Sequence, residues 1–367
     1  MAEEKTNELG NHIEMKKVWE LLAILVVTAI IWNLPTSSFG INGLTVVQQR
    51  IIAIFVFATL SWLTECIPAW ATSLSIMSIM CVTVSKNAFG VFKGDGIGEL
   101  LDSKEIMASF ADPIIMLFLA GFILAIAASK SGLDTLLARN LIKPFGNKSE
   151  NVLLGFLLIT GLFSMFISNT ATAALMLTFL TPVFAALPAN GKGRIALTMS
   201  IPIAANLGGM GTPIGTPPNL IALKYLNDPA GLNMNIDFMH WMAFMAPLVI
   251  VLLLLSWRII LYFFPFTQKT IHLKIDGEVH RGWRMWVVII TFIVTILLWV
   301  IPKDVTGIDT NTVSMIPMAI FAITGVITAK DMQEINWSVI WMVAGGFAIG
   351  LGMNGSGLAD AAIESIP

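Results

Sequence analysis

Two short polar segments break apolar runs long enough to cross a membrane, and they constrain the fold more than any other feature of this chain. The first, Ser168-Asn169-Thr170, sits at the centre of an uncharged run over 151–187. The second, Gly208-Gly209-Met210-Gly211-Thr212-Pro213-Ile214-Gly215-Thr216-Pro217-Pro218-Asn219, interrupts the run over 195–225. Unpaired backbone N–H and C=O groups are not tolerated against lipid, so irregular backbone at membrane depth persists only where it is buried in protein or lines a cavity. Paired discontinuous helices of this kind point to a transporter binding site.

Composition identifies the solvent. The chain is 56% hydrophobic and 12% charged, against roughly 25% charged for a soluble domain, which excludes a soluble globular protein. Further apolar runs at 18–34, 46–63, 68–85, 111–129, 238–264, 285–301, 311–329 and 337–353 are each about long enough to span. The expected fold is all-α, polytopic and embedded in a membrane, with lipid as its surroundings. A net charge of −2 says nothing about nucleic acid, and no nucleic-acid partner is expected. Cys66 and Cys81 lie in or beside spans without metal-like spacing and read as packing residues. The polar stretch 1–17 leads into an apolar run ending Trp32-Asn33-Leu34-Pro35, with no small-residue cleavage site, which reads as a first span and not a removed signal peptide.

Charge orients the spans. With a cytoplasmic N-terminus, the inner loops hold fourteen basic residues (Lys5, Lys16, Lys17, Lys130, Arg139, Lys143, Lys148, Lys192, Arg194, Lys269, Lys274, Arg281, Arg284 and Lys330). The outer loops hold six (Arg50, Lys86, Lys93, Lys104, Lys224 and Lys303), and Arg258 sits near the inner end of a span. The bias follows the positive-inside rule. As one straight helix, 151–187 would measure about 56 Å, nearly twice the hydrocarbon core, so the run must turn. Two full spans and a re-entrant hairpin both fit basic residues at each end. The uncharged turn favours a hairpin with a buried tip.

An internal repeat runs at an offset of 225: Ile115/Ile340, Gly121/Gly346, Phe122/Phe347, Ser131/Ser356, Gly132/Gly357 and Leu133/Leu358 are identical. By the span count the copies run in opposite directions, as in inverted-repeat transporters. The counterpart of Ser168 would fall near position 393, beyond Pro367, so the second repeat reads as incomplete and the chain as C-terminally truncated.

These motifs resemble the divalent anion/sodium symporters, carriers of di- and tricarboxylates. Ser168-Asn169-Thr170 is similar to that family's hairpin-tip signature, Gly215-Thr216-Pro217-Pro218-Asn219 to its unwound segment, and Ser61-Trp62-Leu63-Thr64-Glu65-Cys66-Ile67-Pro68 to its stretch after an early span. The resemblance runs from about Gln48 onward. It implies a homodimer with an elevator mechanism and Na⁺ as coupling ion, without other cofactors, in an integral protein of the bacterial inner membrane. Its domain plan is a cytoplasmic N-terminus 1–17, scaffold helices 18–110, a first transport repeat 111–235 with hairpin 151–187 and broken helix 195–225, scaffold helices 236–335, and the start of a second transport repeat at 336–367. Position 216 is Thr where some relatives carry Ser, which adds a methyl.

The chemistry of the two knots agrees. Na⁺ prefers oxygen ligands, and Ser164 and Ser168, four apart on one helix face, with Asn169 and the carbonyl of Gly215, would form a neutral cage. The free N–H groups at the start of the second hairpin helix would attract a carboxylate. Asn169, Thr170 and Thr216 are the candidate substrate contacts. No Arg or Lys falls near either knot, so bound cations must compensate the anion. Blander readings exist: Ser-Asn-Thr is a good N-cap cluster, and Ser164 could bond back to its own helix. Glu65 reads as structural, and Asp112 and Asp134 as interfacial. His12, His240, His272 and His280 fall in loops or at span ends.

The expected function is Na⁺-coupled uptake of C4-dicarboxylates such as succinate, malate or fumarate. Citrate or another divalent anion, or Na⁺-independent exchange, would use the same design. An intramembrane enzyme would need paired buried acids or a metal motif, and neither is visible, so the protein is expected not to be an enzyme. A non-transporting fragment is the remaining alternative.

Overall fold

The computed structural model describes residues 15–185, 187–188, 191–228, 232–271 and 282–365. Lys5, His12, His272, Lys274, His280 and Arg281 lie outside the described residues. Regular structure is helical: α1 (Met15–Asn33), α2 (Val46–Thr64), α3 (Ala69–Thr83), α4 (Ser103–Ala108), α5 (Pro113–Ser131), α6 (Leu133–Ile142), α7 (Ser149–Ser164), α8 (Asn169–Ala185), α9 (Lys192–Gly209), α10 (Pro217–Leu226), α11 (Phe238–Phe263), α12 (Trp283–Val300), α13 (Lys303–Thr306), α14 (Thr310–Val313), α15 (Met315–Ile323), α16 (Trp337–Gly355) and α17 (Leu358–Glu364). Among the described residues, five helical stretches are long and apolar enough to cross a membrane, at Val46–Thr64, Ser103–Ser131, Phe238–Phe263, Trp283–Val300 and Trp337–Gly355. The helices α3, α7 and α8 and the pair over Thr310–Ile323 are apolar but shorter.

The chain divides into two compact units, one of residues up to Asp112 and from Trp337, the other Pro113–Asn336. In the first, α16 packs on α2, α3 and α4 through small residues. A Cβ on Gly345 would lie 2.5 Å from the Ser73 Cβ, and one on Gly352 would lie 2.8 Å from the end of Met80. Where lipid removes the hydrophobic drive between helices, such close approach supplies the packing. Gln48 closes a capping box with Thr45 and donates 2.8 Å to the Ser356 carbonyl, a group the end of α16 leaves unpaired. Glu65 ends α2 in the left-handed region, with φ 50, and Pro68 precedes α3, a structural turn with the acid exposed.

In the second unit, α7 and α8 form a hairpin that packs on α9, with α11 against both α7 and α9. Their core joins Leu153, Phe156, Leu180, Leu197, Ile201 and Leu253, all buried. The hairpin is pinned at its start: Ser149 N and Oγ donate to the Lys269 and Gln268 carbonyls (3.1 and 2.6 Å), and Ile271 N donates to Asn147 O (2.7 Å). Arg194, opening α9, donates to Phe184 O near the end of α8. Lys148, Arg194 and Lys269, assigned to one side by charge alone, are thereby tied to one end of this unit. Lys130 at the end of α5 meets Asp331 at 2.5 Å. Burial opposes ionisation of Asp331, yet hydrogen bonds from Lys130 and Thr328 hold its carboxyl down to about 2.

Asp134, just past the end of α5, is not left facing solvent. It is buried, accepting from Thr135 N at 2.5 Å, and burial pushes its carboxyl above the ordinary range against bonds from Thr135 and Ser129. The repeat has a backbone counterpart. Both α5 and α16 end at a glycine in the left-handed region, Gly132 (φ 74) and Gly357 (φ 70), each capping a following short helix.

Gly345→Leu tests the small-residue packing. It should lower the thermal stability of the purified protein by roughly 1–3 kcal/mol, whereas a surface change such as Lys86→Ala should leave the melting temperature in place.

Candidate functional site

The hairpin turns between Ser164 and Asn169, where α8 begins. The turn fits because Ser168 caps α8: its Oγ accepts from Ala171 N at 3.3 Å and its carbonyl from Thr172 N at 2.9 Å. Opposite the tip, α9 ends at Gly209 and α10 starts at Pro217, leaving the segment between them unwound.

Glycine brings the two breaks together. A Cβ on Gly208 would fall 2.2 Å from the Gly161 carbonyl oxygen, one on Gly209 2.5 Å from Asn169 Oδ1, and one on Gly215 2.3 Å from the Gly209 oxygen. None of the three has positive φ, so what glycine provides here is close approach and not an unusual turn. The unwound backbone finds its partners within the protein. Asn219, buried, donates through Nδ2 to Gly209 O (2.8 Å) and Thr212 O (2.7 Å). Thr212 Oγ1 donates to Met165 O across the gap, and Trp241 of α11 donates to Met210 O at 3.0 Å.

At the centre lies a cluster of oxygens. Ser164, the last residue of α7, is fully buried, with its Oγ 2.7 Å from the Ala205 carbonyl and 2.7 Å from one end of the Asn169 amide. That amide end also lies 3.2 Å from Ala205 O and 3.3 Å from Gly215 O, while the other end faces the Asn206 amide at 3.2 Å. Ser164 has one proton for two neighbours. Without a cation, the network is satisfied when Ser164 donates to Ala205 O and the Asn169 NH₂ turns inward to donate to Ser164 Oγ.

The expected residues therefore divide. Ser164, Asn169 and Gly215 converge on one point, whereas Ser168 Oγ is engaged as the α8 cap. Thr170 is exposed on the first turn of α8, and Thr216 is the half-buried N-cap position of α10, whose side chain makes no capping bond. Pro217 and Pro218 supply no N–H, so α10 offers an anion little at its start. The N–H groups of Asn169 and Thr170 have no acceptor among the described residues, which leaves the α8 terminus as the stronger anion donor. Two residues escaped the sequence reading, Asn206 and the bracing role of Asn219. A lone Asn three residues before Gly209 in an otherwise apolar run was the available signal for the first.

No group of three His, Cys, Asp or Glu residues able to hold a metal occurs among the described residues. The oxygens at the tip instead come from a hydroxyl, an amide and carbonyls, a neutral set suited to a hard monovalent cation.

The sequence profile described as citrate transporter, CitMHS, matches residues 52–367. The chain is 32% identical over 374 aligned positions to the sodium-dependent dicarboxylate transporter SdcS of Staphylococcus saprophyticus, covering 92% of this chain and 68% of that protein. It is 31% identical over 345 positions to the Staphylococcus aureus transporter of the same name, covering 84% of this chain and 63% of that one. It is also 28% identical over 348 positions to an inorganic phosphate transporter of Saccharomyces cerevisiae, covering 94% of this chain but 36% of the relative. The chain thus spans between about a third and two thirds of the length of these relatives.

Two substitutions test the braced contact. Gly208→Ala should separate the hairpin from the unwound segment and lower stability by roughly 1–3 kcal/mol. Asn219→Asp, nearly isosteric but unable to donate to the two carbonyls, should cost a similar amount. A melting temperature equal to wild type in both would show that the contact is not tight.

Proposed function

The chain belongs to the citrate transporter family, and from that premise we propose that it carries C4-dicarboxylates such as succinate, malate or fumarate across the membrane together with Na⁺. It is a membrane transporter and not an enzyme. The observation that carries the finer reading is the convergence of Ser164 Oγ, the Asn169 amide, Ala205 O and Gly215 O at one buried point, with no basic side chain among the described residues bonded there. In this reading Na⁺ lies among Ser164, Ser168, Asn169 and Gly215; Ser168 Oγ accepts one hydrogen bond, from Ala171 N, and keeps a second lone pair for the ion. The carboxylate lies outside it, on Asn169, Thr170, Thr216 and the free N–H groups of the α8 terminus.

Physical chemistry then supplies the coupling. A dianion taken from water into a neutral site loses hydration that neutral donors alone replace poorly. A cation at the tip strengthens every one of those contacts. Ion and substrate therefore bind better together than apart, and by linkage each favours the other equally. The homodimer, elevator motion, bacterial inner membrane and cytoplasmic N-terminus belong to the same proposal. The yeast relative favours a second reading, inorganic phosphate, since a hydrogen-bonding site without a basic side chain suits either small dianion.

Uptake of labelled succinate by the full-length protein in proteoliposomes, with and without an inward Na⁺ gradient, tests the proposal. Uptake should require Na⁺, and excess unlabelled phosphate should leave it unchanged. Equal uptake without Na⁺ removes symport, and phosphate uptake without succinate uptake selects the second reading. Asn169→Ala should abolish transport while leaving the protein folded. Ser164→Ala should raise the Na⁺ concentration for half-maximal uptake about tenfold, the equivalent of one lost ligand at about 1.4 kcal/mol.

A further inference from the structure

The Asn169 amide has different chemistry at its two ends, and its surroundings accept either orientation only under different conditions. Its inner end meets three oxygens, Ser164 Oγ at 2.7 Å, Ala205 O at 3.2 Å and Gly215 O at 3.3 Å. Among these three oxygens only Ser164 carries a proton, so without a cation the inner position calls for NH₂. Asn169 Oδ1 then faces Asn206 at 3.2 Å, so Asn206 must turn its own NH₂ inward to be a donor. The Asn206 oxygen is left facing the exposed side.

A cation among those oxygens reverses each preference. It repels an amide NH₂ and attracts Oδ1, so the Asn169 amide turns. Its NH₂ now donates to Asn206 Oδ1 at 3.2 Å, and Asn206 presents NH₂ outward. Asn206 is exposed on α9, three residues before the Gly209 that abuts Asn169. An exposed amide at the depth of a buried ion cage lies where a substrate can reach it. No proton transfer and no backbone movement is needed, only two linked amide rotations: the Asn169–Asn206 hydrogen bond is kept with its direction reversed, and the inward NH₂ contacts give way to contacts with the cation.

We propose that Asn206 is a further substrate-contacting residue and that the Asn169–Asn206 amide pair relays cation occupancy to the anion. With Na⁺ bound, Asn206 offers a donor to the incoming carboxylate. Without it, Asn206 offers an oxygen that repels one. The inference rests on the Na⁺-coupled carboxylate reading above and gives it an atomic route.

The test separates ion binding from anion binding in the full-length protein. Na⁺ binding is followed as the rise in melting temperature with NaCl alone, and anion binding as the half-saturation concentration for succinate uptake at saturating Na⁺. Asn206→Ala should keep the Na⁺-dependent rise and increase the succinate half-saturation about tenfold, for one charge-assisted hydrogen bond. Asn206→Asp accepts from Asn169 but cannot donate outward. It should keep the Na⁺-dependent rise and weaken succinate further, about a hundredfold. Asn206→Ser, a shorter donor, should fall between wild type and Ala. Succinate half-saturation within twofold of wild type in both Ala and Asp variants overturns the contact. Loss of the Na⁺-dependent rise in parallel with succinate affinity in both reduces Asn206 to a structural support and overturns the relay. Absence of Na⁺-dependent succinate uptake in wild type overturns the transport reading and this inference with it. Active wild type, inactive Asn169→Ala and normal Asn206 variants overturn the relay alone.

Discussion

The site depends on one close approach, the backbone of α9 at Gly208 against the backbone of α7 at Gly161. At that contact there is no room even for a methyl group. Once the two helices touch there, the tip of the hairpin must meet the place where α9 ends. The unwound segment then has protein instead of lipid around its unpaired groups, which is the condition for irregular backbone at membrane depth. Asn219, Thr212 and Trp241 satisfy the freed carbonyls that remain near the contact. Without the approach, each carbonyl would carry a desolvation cost of about 1–3 kcal/mol.

The proposed transport role accounts for the neutrality of this cluster. A basic side chain at the tip would pair the anion permanently and would itself be expensive to bury when the substrate leaves. Carbonyls, a hydroxyl and amides are held in place by the fold and remain paired with one another when no ligand is present. The Asn169 amide shows how this works: its NH₂ quiets the same oxygens that its Oδ1 would join around a cation. A site built from such groups can empty without leaving a bare charge behind.

Much of this was legible in the sequence, for identifiable reasons. The helices followed from apolar runs between charges, and the hairpin followed from 151–187 being too long for one span. Ser164, Asn169 and Gly215, singled out because a broken apolar run has few polar atoms to choose from, do converge in space. What the sequence did not show has a common cause. Ser168 Oγ also caps α8 by accepting from Ala171 N, a local bond that spacing on a helix face does not reveal. Asp134 follows a span, and the left-handed Gly132 redirects the chain into α6 and buries it. Asn206 depends on α9 meeting the start of α8, and the brace by Asn219 on α10 folding back onto the end of α9 and the unwound segment, and no periodicity carries either.

The central claim is that the tip of the hairpin and the unwound segment together form a cation site before any anion arrives. Calorimetric titration of the purified full-length protein with NaCl, in buffer free of carboxylate and phosphate, measures this most directly. The account predicts saturable binding of Na⁺ that choline chloride does not reproduce, and a tighter succinate isotherm once Na⁺ is bound. Succinate binding of equal strength with and without Na⁺, or no saturable Na⁺ binding in the absence of the anion, would contradict it.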